Sequence, residues 1–339
     1  LALRKGVWLL GSVLSAISLF GMAVAALTLE GNEAGMIILL MLIIFSLARG
    51  LCSVSAKDVL GKTVSKSRRG VLMGWSASLS GLAVLIIGLW MGSLDSEEAG
   101  IGVFAWLLLC GGILWLVAAL SFAAIMEQPG ATEGGGNALA VALKQLRLLV
   151  DDGQFRHFVV ARALLLSVAL APPFYVLVAQ SQSSAGLLGL GALIIANGLA
   201  TAISSPFWGY MGDRSSRWVM AIAAAGAGLL GLFTFTAVYA EWNWATGEIG
   251  MAVIFLVLNV MHGGVRLGRK VYLVDMATAA TRAAYVAVSN TVIGILMLLG
   301  GLIGLLGDWL GAATILLILG LCSMLAAIYI SRLPQVSDA

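Results

Sequence analysis

The sequence predicts an all-α, polytopic membrane protein, and three observations carry that prediction. Of its 339 residues, 61% are hydrophobic and 10% are charged, where soluble domains carry about 25% charged residues. The mean hydropathy is +1.04. The apolar residues are also gathered into runs of the roughly 20 residues a helix needs to cross a bilayer. Ten such runs are expected, over 6–28, 36–56, 70–92, 101–125, 158–180, 185–208, 217–240, 249–270, 283–305 and 310–331.

Each run is bounded by charge or by glycine and proline, and the charges have a side. With residue 1 in the cytoplasm, the inner loops fall near 55–69, 127–157, 209–217 and 266–282. All 19 Lys and Arg then lie in those loops, at the C-terminus, or in the inner part of an adjoining helix. The outer loops hold only acids: Glu30, Glu33, Asp95, Glu97, Glu98, Glu241, Glu248 and Asp308. Lys and Arg concentrate on the cytoplasmic side of membrane proteins, so both ends of the chain are expected inside, in a bacterial cytoplasmic membrane. The net charge of +3 therefore reflects sidedness, and no nucleic-acid partner is expected. Cys52, Cys110 and Cys322 lie in or beside apolar runs without metal-ligand spacing and read as packing residues. No cofactor or metal is expected. The 42 glycines suit close backbone approach between helices.

Residues 127–157 interrupt the hydrophobicity. Pro129-Gly130 and Gly134-Gly135-Gly136 come first, then a helical pattern over 137–150, with Leu139, Leu143, Leu146 and Val150 on one face and Lys144, Arg147 and Asp151 forming a polar stripe. This segment is expected to lie along the membrane surface and to link two bundles. The expected domains are residues 1–126, 127–157 and 158–333, with a tail at 334–339.

The two parts repeat. Arg49 to Asp58 recurs as Arg266 to Asp275, 217 positions on; Arg69-Gly70, Ser76 and Gly81 recur as Arg282-Ala283, Ser289 and Gly294, 213 positions on. The same 213 places Arg4 on Arg217. In the inner loop at 209–217, Gly209 is followed by Asp213, Arg214 and Arg217. That pattern resembles the signature loop of the major facilitator superfamily. The resemblance implies a six-plus-six fold of two pseudo-symmetric bundles, here with ten helices and an incomplete first bundle, so that two helices are expected before Leu1. It departs from the pattern at Ser216, usually Gly, and at Trp218, usually basic. The family's mid-helix arginine in its fourth span is absent, and 70–92 holds no proline of the antiporter type.

The resemblance also implies a function: secondary transport of a small solute by alternating access. In the family this loop docks on the start of a helix in the other half and closes the cytoplasmic side. On this chain Asp213 would face Arg69 and Gly70, with Arg214 and Arg217 completing the cluster. Away from the loops, the ionisable groups are Arg49, Arg162, His262 and Arg266, all on helices that line the cavity in the family. Asn259, His262 and Arg266 share one helix face at i, i+3 and i+7, with Asn197 and Tyr175 as further cavity candidates and Pro172-Pro173 as a kink. A cationic cavity favours an anionic or polar solute. His262 is the one candidate for proton coupling, because no carboxylate lies mid-span. Plainer roles stay open: Arg162 is within snorkelling reach of the headgroups, and Arg49 and Arg266 are placed to pair with Asp58 and Asp275 as anchors. No nucleophile or carboxylate pair suggests an enzyme. A non-transporting receptor or an inactive transporter fragment is the alternative.

Overall fold

The computed structural model describes residues 3–92, 100–127, 145–182, 188–278 and 280–336, and every regular element among them is a helix. In chain order these are α1 Lys5–Thr28, α2 Gly31–Thr63, α3 Lys66–Gly92, α4 Ile101–Ala123, α5 Leu148–Asp151, α6 Gly153–Leu164, α7 Leu166–Leu170, α8 Pro172–Gln182, α9 Leu188–Tyr239, α10 Asn243–Thr246, α11 Glu248–Met276, α12 Arg282–Gly300, α13 Ile303–Leu310 and α14 Ala312–Ser331.

Among the described residues, nine helical segments are long and apolar enough to cross a membrane. The difference from ten lies in α9, where the residues expected as two runs are joined across the signature loop. An unbroken helix of 52 residues would be about 78 Å long at 1.5 Å per residue, more than twice the hydrocarbon thickness. It is interrupted at Ser215, whose φ of −161° and ψ of 98° are extended. The expected loop is thus far narrower than 209–217, because Gly209 to Arg214 stay helical. The run expected at 158–180 begins earlier, at Gly153, where the Asp152 carboxylate accepts from the Phe155 N–H at 2.9 Å and caps α6. It breaks before Pro172, which opens α8 at a position where a missing N–H is harmless. Most of the helix expected over 137–150 lies outside the described residues; within them is α5, with an Arg147–Asp151 pair at 3.6 Å.

The packing separates into two units that cut across chain order. One comprises Leu1–Ser65, Leu94–Gly135 and Ala277–Ala283. Here α1 lies against α2 and α4. Its packing face is small and polar: Ser12, Ser15 and Ser18 are fully buried, and each turns its hydroxyl onto the carbonyl four residues back, which satisfies the group without a second helix. Trp8 stacks on Phe122 with ring centroids 3.9 Å apart. The N-terminus of α1 is held by Glu127, whose carboxylate accepts from the N–H groups of Arg4 and Lys5 and from Lys62.

The other unit comprises Lys66–Ser93, Gly136–Met276 and Ala284–Ala339. Here α3 runs along the first leg of α9 on a seam of small residues. A Cβ at Gly70 would stand 2.5 Å from the Gly209 carbonyl oxygen, one at Gly74 2.5 Å from that of Ser205, and one at Gly198 2.5 Å from the Leu85 nitrogen. Small residues let membrane helices meet backbone to backbone, where dispersion accumulates. This seam explains why α3 is grouped with the later helices. The second leg of α9 meets α14 through Gly228, Gly231 and Gly320 in the same way. The core of this unit is apolar, with Phe174, Tyr175, Phe255, Leu258 and Leu316 at its centre. Its outward faces carry Leu298 and Trp309 at 81% and 87% exposure, as lipid-facing residues should.

Candidate gate and solute site

The α3–α9 seam delivers Asp213 to the beginning of α3. Its Oδ1 accepts from the Gly70 N–H at 2.5 Å and its Oδ2 from the Val71 N–H at 2.9 Å. A carboxylate there also lies at the positive end of the helix dipole. Gly70 is needed twice, since a Cβ would stand 2.6 Å from that same Oδ1. Beside it, Arg69 donates from Nη1 to Asp275 Oδ1 at 2.7 Å, with both side chains at most 5% exposed.

Asp275 is therefore answered across the halves and Asp58 chiefly from its own helix, neither by the arginine nine positions upstream. Asp275 takes Arg69 and not Arg266, the anchoring partner that stayed open in the sequence. Asp58 takes Lys62 at 2.5 Å and Arg282 at 3.9 Å, and not Arg49. Arg49 is exposed and forms no ion pair among the described residues. Under the repeat, Arg69 corresponds to Arg282 and Asp275 to Asp58, so the two contacts are symmetry counterparts. Helical rise gives the reason: nine residues along one helix span about 13 Å, too far for direct pairing, while the start of the next helix is close.

Arg214 and Arg217 do not join Asp213. Arg214 is exposed. Arg217 turns to the C-terminal segment, donating to the Leu333 carbonyl at 2.6 Å and to Gln335 Oε1 at 3.4 Å. Tyr272 donates to the Pro334 carbonyl at 2.9 Å, so residues 333–335 strap this end of the unit.

The cavity candidates fall into two sets. On α11, Asn259, His262 and Arg266 share a face with Arg269, which sequence reasoning passed over as the inner end of its run. Asn259 spends its amide on the Phe255 carbonyl of its own helix. His262 lies within electrostatic reach of both Arg266 and Arg269. Arg162 on α6 is within reach of Arg269 and donates from Nη1 to Ser289 Oγ at 2.7 Å and Asn290 Oδ1 at 3.3 Å on α12. Tyr175, by contrast, is 1% exposed and packs edge-on against Phe255. Asn197 is exposed on α9 and is not drawn to the cationic face.

Two carboxylates outside the crossing segments show how the ends are fastened. Burial pushes the Asp152 carboxyl up, but the N–H groups of Phe155 and Gln154 and the Tyr285 hydroxyl outweigh it and hold the pKa below the ordinary value. Burial likewise raises Glu127, and the N–H of Arg4, the Lys62 ammonium and the N–H of Lys5 pull it below normal. A folded-state pKa below the unfolded one adds stability above the unfolded value, about 4, that is lost as pH falls through the folded value. Stability against thermal unfolding in micelles should therefore fall on acidification below about pH 4. Glu127→Gln and Asp152→Asn should each lower stability at pH 7 and flatten that acid limb; an unchanged limb in both would refute the assignment.

No protein-family model matches the chain, and no curated protein matches it by sequence. Among solved structures, the proton:xylose symporter XylE matches with a TM-score of 0.71 at 17% identity, over 98% of this chain and 80% of that one. The human organic anion transporter MFSD10 matches at 0.66 and 14%, over 96% and 81%. FucP in its outward conformation matches at 0.62 and 14%, over 98% and 83%. The chain has the major facilitator fold. Identities this low show the architecture alone, that of an integral multi-pass membrane protein. Transporters of the major facilitator fold are typically not enzymes.

Proposed function

We propose that the chain is a secondary transporter that moves a small solute by alternating access, with the contact between Asp213 and α3 as the gate of its cytoplasmic side. One observation carries this reading: a carboxylate on one repeat rests on two backbone N–H groups at the start of a helix of the other repeat. Such a contact is strong while formed and breaks without leaving a buried charge, because both groups can be hydrated when the seam opens. The reading takes α9 as two crossing legs turned at Ser215, for ten crossings in a six-plus-six arrangement. It places the Lys and Arg ends, and both termini, in the cytoplasm. Repeats 1–126 and 158–333 are the rocking halves, joined by 127–157.

The cationic face of His262, Arg266 and Arg269 favours a polar or anionic solute, with His262 as the group that couples transport to protons. The test is uptake of a panel of labelled anionic and neutral solutes into vesicles holding the protein, with and without an imposed pH gradient. Asp213→Asn, which weakens both bonds to α3, should change the ratio of inner to outer accessibility of cysteines placed at the two cavity mouths. His262→Gln should abolish the response to the pH gradient while leaving downhill exchange. Accessibility unchanged by Asp213→Asn would reject the gate, and a persisting pH response in His262→Gln would reject the coupling role.

A further inference from the structure

Arg162 on α6 is a buried cation, at 8% exposure. Its hydrogen bonds go to neutral acceptors, Ser289 Oγ at 2.7 Å and Asn290 Oδ1 at 3.3 and 3.4 Å. Its buried Nε has no partner. A second guanidinium, Arg269, stands near enough to repel it, and no salt bridge among the described residues reaches either group. A buried guanidinium is costly unless an anion answers it, and a second one close by raises the cost. Several carboxylates of this unit are engaged elsewhere: Asp275 with Arg69, Asp213 with α3, Asp152 with Phe155 and Tyr285, and Asp151 with Arg147. The two cations share an unanswered charge.

We propose that Arg162 and Arg269, with Ser289 and Asn290, form a binding site for the oxyanion group, a phosphate or a carboxylate, of the solute that the chain carries. This deepens the transport reading and rests on it. The guanidinium supplies planar donors that match such oxyanions. In this arrangement the free Nε edge of Arg162 is available to the ligand, while Nη1 and Nη2 are fixed by Ser289 and Asn290. Ser289 is fully buried, so the bond it accepts holds the guanidinium in place. Arg269, only partly buried, supplies the second positive charge.

The experiment is thermal unfolding of the full chain in an uncharged detergent, read by tryptophan fluorescence. Inorganic phosphate replaces chloride at constant ionic strength. The wild type should show a saturable rise in melting temperature. Arg269→Gln should raise the half-saturating phosphate by roughly ten-fold or more, the loss expected for a charge-assisted bond. Arg162→Lys, which keeps the charge but loses the fixed fork, should weaken binding as well, and guards against misfolding of a neutral variant. Arg147→Gln, at an exposed position outside the site, should respond like wild type. A rise that never saturates and is equal in wild type and Arg269→Gln would be a salt effect and would overturn the proposal. A saturable rise with phosphatidylglycerol micelles that free phosphate neither reproduces nor competes away would assign the site to a lipid headgroup and overturn it as a solute site. Phosphate binding that survives while no solute is taken up would reject transport alone; uptake of neutral solutes without phosphate binding would reject the anion site alone.

Discussion

Asp275→Asn should cost the folded protein about 3–5 kcal/mol, the usual penalty for removing one partner of a buried ion pair. Asp275 is the carboxylate that answers Arg69 at 2.7 Å, and both side chains are at most 5% exposed. The double variant Arg69→Met, Asp275→Leu should recover most of that loss, since a well-packed apolar pair often replaces a buried ion pair without cost. It would restore the fold without restoring the charge. The symmetry counterpart, Asp58→Asn, should be markedly milder. Lys62 keeps Glu127 at 2.9 Å, and Arg282 stands at 3.9 Å, beyond hydrogen-bonding distance. Thermal unfolding of the four proteins in one detergent checks the ranking; equal losses for Asp275→Asn and Asp58→Asn would contradict it.

Adding one methyl group to the α3–α9 seam should be almost as damaging. In Gly70→Ala or Gly209→Ala the new Cβ would meet a backbone carbonyl oxygen 2.5 or 2.6 Å away. No side chain can swing aside there, so the helices must separate. Overpacking of this kind costs about 1–3 kcal/mol or more, and in Gly70→Ala the Asp213 contact goes with it. Gly35→Ala and Gly294→Ala are the controls. Nothing lies within 4 Å of a Cβ at either position, and alanine is the better helix former by about 1 kcal/mol. Those two should be neutral or slightly stabilising. If all four variants behaved alike, close approach on this seam would not be what holds α3.

Much of this was legible because the bilayer imposes it. Segments such as 6–28 and 101–125 announce themselves by apolar length alone, and α1 and α4 follow them within two residues at each end. The repeat was legible too, and it held more than was read from it. Offsets of 213 and 217 relate Arg69 to Arg282 and Asp58 to Asp275, yet only three-dimensional packing decides whether an acid pairs along its helix or across to the next one. Sequence proximity suggested Arg49 with Asp58; helix rise rules it out.

The proposed solute face was half visible. His262 and Arg266 stand out because charge in an apolar run is costly, whereas Arg269, three residues on, reads as the cytoplasmic end of a helix. Ser289 and Asn290 carry no signal of their own, since only the approach of Arg162 gives them a role. The extent of the turn in α9 was hidden for a similar reason. Gly209 to Arg217 looks like a loop by composition, but contact with α3 keeps the chain helical to Arg214.

The central claim is that the end of the molecule carrying Asp213 opens and closes during transport. The most direct measurement places spin labels at Arg68 and Arg214, which are both exposed on either side of the Asp213–Gly70 contact, and records their distance distribution in lipid nanodiscs. The account predicts two populated distances, a short one matching the closed seam and a longer one that gains population in Asp213→Asn and shifts with solute. A single short distance, unmoved by Asp213→Asn and by every solute that the protein binds, would contradict it.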